Sequence, residues 1–147
     1  MLKSIFVSKY FLNLFFLFIC VYSSLNAQEN RLVISIQGTL KSKGKLIVAL
    51  YRVQDHFPSS KTSFRHQSVQ THQGTTQVIF EDLPTDKYAI AAYLDDNNNG
   101  KMDKNIFGAP TELYGFSNDA RELMSAPSFQ KAAFHLNKDL KINFLIK

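Results

Sequence analysis

Five residues near the middle of the chain carry the spacing of a cation-binding loop. Asp95, Asn97, Asn99, Gly100 and Asp103 stand at positions one, three, five, six and nine of D-x-N-x-N-G-x-x-D, which follows the front of the EF-hand loop, D-x-[DN]-x-[DN]-G. Oxygen-bearing side chains at alternate positions of a tight curl converge on one point, and a glycine makes the sharp turn that a side chain would obstruct. Lys101 falls where such loops contribute a backbone carbonyl. Every candidate donor is a hard oxygen, so the expected ion is calcium rather than zinc or copper. Two features depart from the pattern. Position twelve is Ile106, where a bidentate glutamate belongs, and no helical period precedes Asp95. With Asp95 and Asp103 as its only charged ligands, the site would be weak, with a Kd on the order of 10⁻⁴–10⁻³ M. Glu112 or Asp119 would supply a further ligand if the chain folded back. The same amides and acids also close Asx turns with no ion at all.

Other constellations are weaker. Glu112 and Asp119 could make the acid/base pair of a hydrolase, a reading that requires a cleft with one carboxyl kept protonated. Ser117 sits in Gly115-Phe116-Ser117-Asn118, which lacks the second glycine of a nucleophile elbow, so it reads as a turn or capping serine. His56, His66, His72 and His135 are dispersed, without zinc-ligand spacing. Tyr93, Phe107, Tyr114 and Phe116 flank the polar loop. Phe107 and Phe116 are expected to plug a core. Tyr114, with Glu112 and Asp119, would border a binding surface for a sugar or a peptide.

The flanking segments read as strands. Leu32, Ile34 and Ile36 alternate with Arg31, Ser35 and Gln37, the period of a half-buried strand. Leu46 to Tyr51 is more uniformly apolar and reads as central. Phe64 to Gln70 is a candidate polar edge strand. Thr76 to Glu81 and Tyr88 to Leu94 alternate about Leu83-Pro84-Thr85-Asp86 and predict a hairpin that delivers Asp95 from a strand end. Beyond the loop, Asp119 to Met124 suggests a helical turn, Phe129 to Leu136 a strand, and Leu140 to Lys147 a last strand. The expectation is an all-β fold: one β-sandwich of about seven strands, Greek-key or prealbumin-like, with one long Asp/Asn/Gly-rich loop.

The chain has 147 residues, and the first 27 read as a signal peptide. Lys3 and Lys9 form a positive start, Phe11 to Val21 an apolar core, and Ala27 precedes the cut. The apolar run is shorter than the roughly 20 residues of a membrane span, so no stable span is expected after processing. Phe18 and Ile19 before Cys20 are too large for a lipoprotein signal. Residues 28–147 are expected as one exported domain, periplasmic or secreted, without cysteine. Losing Lys3 and Lys9 takes the formal charge from +5 to +3. With its lysines scattered, the domain has no basic stripe for nucleic acid.

Four linked motifs carry a resemblance: Tyr88-Ala89-Ile90, Asp95 to Asp103, Gly108-x-Pro110-x-Glu112, and Tyr114-Gly115-Phe116-Ser117-Asn118. Together they are similar to the domain-of-unknown-function family 2141, a family of exported bacterial proteins, over nearly all of the chain from about Leu32. The segment from strand to loop also resembles prealbumin-like sandwiches of the carboxypeptidase-regulatory kind. The resemblance implies compartment and fold, and no activity. Thr85-Asp86 departs from it, where a glycine would be expected. The leading expectation is therefore a non-catalytic module whose calcium-ordered loop meets an envelope protein or glycan. The alternatives are a hydrolase using Glu112 and Asp119, and a purely structural envelope component.

Overall fold

The computed structural model of the chain describes residues 29–38 and 43–147. The signal peptide expected over 1–27, Cys20 included, and part of the turn expected over 41–45 lie outside the described residues. Eight strands are described: β1 (Asn30–Gln37), β2 (Lys45–Arg52), β3 (Arg65–Gln70), β4 (Thr75–Leu83), β5 (Asp86–Asp95), β6 (Tyr114–Phe116), β7 (Phe134–Leu136) and β8 (Leu140–Leu145). They form a three-stranded sheet, β4-β1-β8, and a five-stranded one, β3-β2-β5-β6, with β7 also paired to β5. The fold is an all-β sandwich, as the strand periods predict, with one strand more than expected.

Alternation explains the layers. Leu32, Ile34 and Ile36 of β1 and Val78 and Phe80 of β4 face Leu46, Val48 and Leu50 of β2 and Tyr88, Ile90, Ala92 and Leu94 of β5, all buried. Each fully buried aliphatic or aromatic side chain contributes about 1.5–3 kcal/mol relative to exposure. β5 is apolar on its other face too. There Ala89 joins Phe116, Ala120 and Ala132 in a second cluster, packed by Phe57 and Phe129. Phe57 meets Tyr51, Phe116 and Phe129 edge-on, with ring centroids 5.1, 5.7 and 6.1 Å apart.

Three expectations are corrected. β4 and β5 do not form a hairpin: β4 pairs with β1 and β5 with β2, so Pro84-Thr85 carries the chain from one sheet to the other. The strand expected over Phe129 to Leu136 divides into a short helix, α1 (Phe129–Ala132), and β7. The helical turn expected at Asp119 to Met124 lies earlier, as a 3-10 turn over Ser117–Asp119.

Both open sides of the sandwich are laced. On one, Arg65 of β3 donates from Nη1 to the Glu81 carbonyl at 2.6 Å and from Nη2 to the Asp82 carbonyl at 3.1 Å, and Gln67 Nε2 donates to the Ile79 carbonyl at 2.7 Å. On the other, the Lys147 amide donates to the Tyr114 carbonyl at 3.1 Å. Gly115 permits that approach, since a Cβ there would stand 2.3 Å from the Leu145 carbonyl oxygen.

Candidate functional site

β5 delivers Asp95 from its C-terminal end, as the sequence predicts, and pairs it with Lys45 of β2. The side chain is buried, with the residue only 2% exposed. Its two oxygens accept the amides of Asn99 at 3.0 Å and Gly100 at 2.8 Å. These bonds require a tight curl, and Asn98 and Gly100 supply it with left-handed φ values of 59° and 75°. Asn97 Oδ1 accepts the Asn99 amide at 3.0 Å, and Asn99 Oδ1 accepts the Lys101 amide at 2.8 Å. The two side-chain amide nitrogens then converge on one carboxylate. Asn97 Nδ2 donates to Asp103 Oδ2 at 2.7 Å and Asn99 Nδ2 to Asp103 Oδ1 at 3.0 Å.

Glu112 acts as a clasp on this curl. Its Oε1 accepts the Asp96 amide at 3.1 Å and its Oε2 accepts the Asp103 amide at 3.0 Å. One carboxylate thus ties both ends of the loop. The Tyr93 phenol reports the same charge cluster. Burial pushes its pKa above the ordinary value, and Asp95, Glu112 and Asp103 push it further.

The donor set can be tested against a cation. Among the described residues no group of three or more His, Cys, Asp or Glu side chains converges as a metal site, so an ion here would depend on amide and carbonyl oxygens. Two carboxylates, two amide side chains and the Lys101 carbonyl fit a hard divalent ion of low affinity. Fitting one requires Asn97 and Asn99 to turn their oxygens toward Asp103, where their N–H groups now stand in for the positive charge.

Beyond the curl the chain forms a finger that the sequence reading missed. The Thr111 amide donates to the Asp103 carbonyl and the Asn105 amide to the Ala109 carbonyl, both at 2.9 Å. Asn105 Oδ1 accepts the Phe107 and Ala109 amides at 2.9 and 3.0 Å. Its one sequence signal is Asn105-x-x-Gly108, a side chain able to close its own turn before a glycine. The tip carries Ile106 at 93% and Phe107 at 87% exposure. The expectation that Phe107 plugs the core is therefore wrong, because the finger's own hydrogen bonds hold it away from the sheets. Phe116 is buried, as expected.

Tyr114, half-buried in β6, pairs across from Tyr93, beside the curl. Asp119 stands apart from it, its Oδ1 accepting the Leu145 amide of β8 at 2.8 Å. The two residues before it are clamps as well. Ser117 Oγ accepts the Ile90 amide at 2.9 Å and donates to the Ala132 carbonyl at 2.6 Å. Asn118 Nδ2 donates to the Lys131 and Ala133 carbonyls at 3.3 and 3.0 Å. The four histidines bring together no further ligand group among the described residues.

A family model described as an uncharacterised protein conserved in bacteria (DUF2141) matches residues 34–143. No curated protein and no solved structure matches the chain.

Proposed function

The chain belongs to the DUF2141 family, and on the geometry of its loop we propose that it is an exported, non-catalytic β-sandwich module whose curl from Asp95 to Asp103 takes calcium and presents a binding surface. The observation that carries this reading is the convergence of Asn97 and Asn99 on the Asp103 carboxylate, next to a buried Asp95 already fixed by two backbone amides. The backbone of the curl is already formed, so the ion has only to turn Asn97 and Asn99, whose oxygens would exchange the Asn99 and Lys101 amides for the cation. Calcium would supply the positive charge that the two amide N–H groups now provide. Asp95, Asn97, Asn99 and Asp103 would bind it through side-chain oxygens and Lys101 through its carbonyl, while Glu112 keeps the ends of the curl together. Export rests on the first 27 residues, with their basic start and apolar core.

The hydrolase reading has less behind it. Glu112 is occupied by two loop amides and Asp119 by the Leu145 amide, so both candidate acids hold backbone. The loop and rim would instead meet an envelope protein or a glycan.

Thermal melting in millimolar calcium and in chelator tests the ion. A ligand that binds only the folded state stabilises by RT ln(1 + [Ca²⁺]/Kd), about 0.4–1.4 kcal/mol at about 1 mM calcium for a site this weak. The melting temperature should rise by several degrees, and Asp103→Asn should abolish the rise. Superimposable curves with and without calcium would remove the metal from the proposal.

A further inference from the structure

The outer face of the five-stranded sheet holds a groove of about 1280 Å³ that the fold itself does not fill. Strand register builds its floor. One row runs Ser68, Ile47, Tyr93, Tyr114 and the next His66, Ala49, Ala91, Phe116. In the second row two alanines meet between His66 and Phe116, so the floor dips there, while Ile47 and Tyr93 stand at the middle of the first row. From Lys45 to Tyr51 the lining spans ~20 Å along β2 at the rise of a strand, and Phe57 packed on Tyr51 closes its far end. Two exposed apolar elements border it: Phe107 on the finger, and Leu123 with Met124 on the segment after β6, at 87%, 102% and 99% exposure. Apolar groups presented to water from opposite banks of one groove mark a binding site rather than chance exposure.

The charge on the lining selects the occupant. Lys45, Lys101 and Lys104 line the loop end, and Lys61 lines the far end. Neither of the two ion pairs among the described residues uses these lysines. The two acids of the lining are already engaged: Asp95 holds two backbone amides, and Glu122 is paired with Lys131. We propose that the groove binds an anionic amphiphile with a single acyl chain. The carboxylate or other acidic head sits among Lys45, Lys101 and Lys104, and the chain runs past Ile47 and Tyr93 to the Ala49–Ala91 dip, bordered by Phe107, Leu123 and Met124. This goes beyond the reading above by assigning the outer face a small-molecule ligand, and it does not require the cation.

The chain contains no tryptophan, so Phe107→Trp creates a single reporter at the rim. Dodecanoate, below its micelle concentration, should shift the emission to the blue and raise it, saturating at micromolar ligand; dodecanol should bind about tenfold more weakly. Adding Lys45→Glu and Lys104→Glu should weaken dodecanoate about tenfold with an unchanged melting curve. A response equal for acid and alcohol, or indifferent to the two charge reversals, would overturn the proposal. So would a reporter that responds to phosphatidylglycerol vesicles but not to free dodecanoate, which would make the surface a membrane-docking one. Running each titration in calcium and in chelator separates the two readings. Binding in both with no calcium effect on melting leaves the groove and removes the ion, and a calcium-dependent melt with no dodecanoate response does the reverse.

Discussion

Ser117, Asn118 and Asp119 show how side chains that resemble chemistry can be structural. In sequence the serine stands two residues after glycine and the acid beside an amide, an arrangement that invites a catalytic reading. In the fold each polar atom goes to backbone: Ser117 to β5 and α1, Asn118 to the carbonyls around α1, Asp119 to β8. Ser117 is fully buried, so Ser117→Ala strands the Ile90 amide and the Ala132 carbonyl without a partner. An unsatisfied buried polar group costs about 1–3 kcal/mol, and urea denaturation of the variant should show a loss in that range. A loss within a few tenths of a kcal/mol would mean that water replaces the hydroxyl. Glu112 belongs to the same class, a carboxylate whose two oxygens are both taken by loop amides. The curl from Asp95 to Asp103 was legible because its residues lie close together in sequence. The clasp was not, because nothing in the sequence near Glu112 says which amides it will meet.

At the scale of elements, alternation identified β1, β2, β4 and β5 nearly to their ends, and with them the buried faces. It could not identify partners. Period two gives the face of a strand and leaves its neighbour open, which is why two strands joined by Pro84-Thr85 read as a hairpin yet lie in different sheets. Phe129 to Leu136 failed for another reason: four residues of α1 are too few to display a helical period. β3 illustrates what an edge strand needs beyond polarity. A row of free carbonyls on β4 would be a template for another chain, and Arg65 and Gln67 cover it by donating to Ile79, Glu81 and Asp82. Replacing both by alanine should cost about 1–2 kcal/mol through three lost hydrogen bonds at a partly solvated edge. The variant should also elute from a sizing column as dimers and larger species, whereas the parent does not. A variant that stays monomeric at high concentration would show that the lacing serves stability alone.

Across the whole molecule, three tyrosines tie the sandwich to its pH range. Tyr51 lies under the Phe57 loop and donates to the Pro58 carbonyl at 3.0 Å, and Tyr88 in the main core donates to the Pro84 carbonyl at 3.0 Å. Burial raises the Tyr51 phenol from 10.0 to about 12, with Asp55 and Tyr93 adding to the shift. Tyr88 and Tyr93 are raised as well, by burial first and then by Asp86 for the one and Asp95 for the other. The folded chain therefore keeps phenolic protons that the unfolded chain releases near its ordinary value. Below about pH 10 both states are protonated and the contribution is complete. Above it the unfolded state binds fewer protons, so stability falls as pH rises toward 12. Urea midpoints should be flat from neutrality to about pH 9 and drop steeply by about pH 11, together with the appearance of tyrosinate absorbance. Tyr51→Phe removes one phenol and its hydrogen bond, so it should be weaker at neutral pH and show a shallower alkaline decline. A parallel decline in parent and variant would assign the alkaline loss to groups other than Tyr51. The three phenols sit on the inter-sheet core, under the Phe57 loop and beside the Asp95–Asp103 curl, so their joint titration reports whether these regions unfold as one unit.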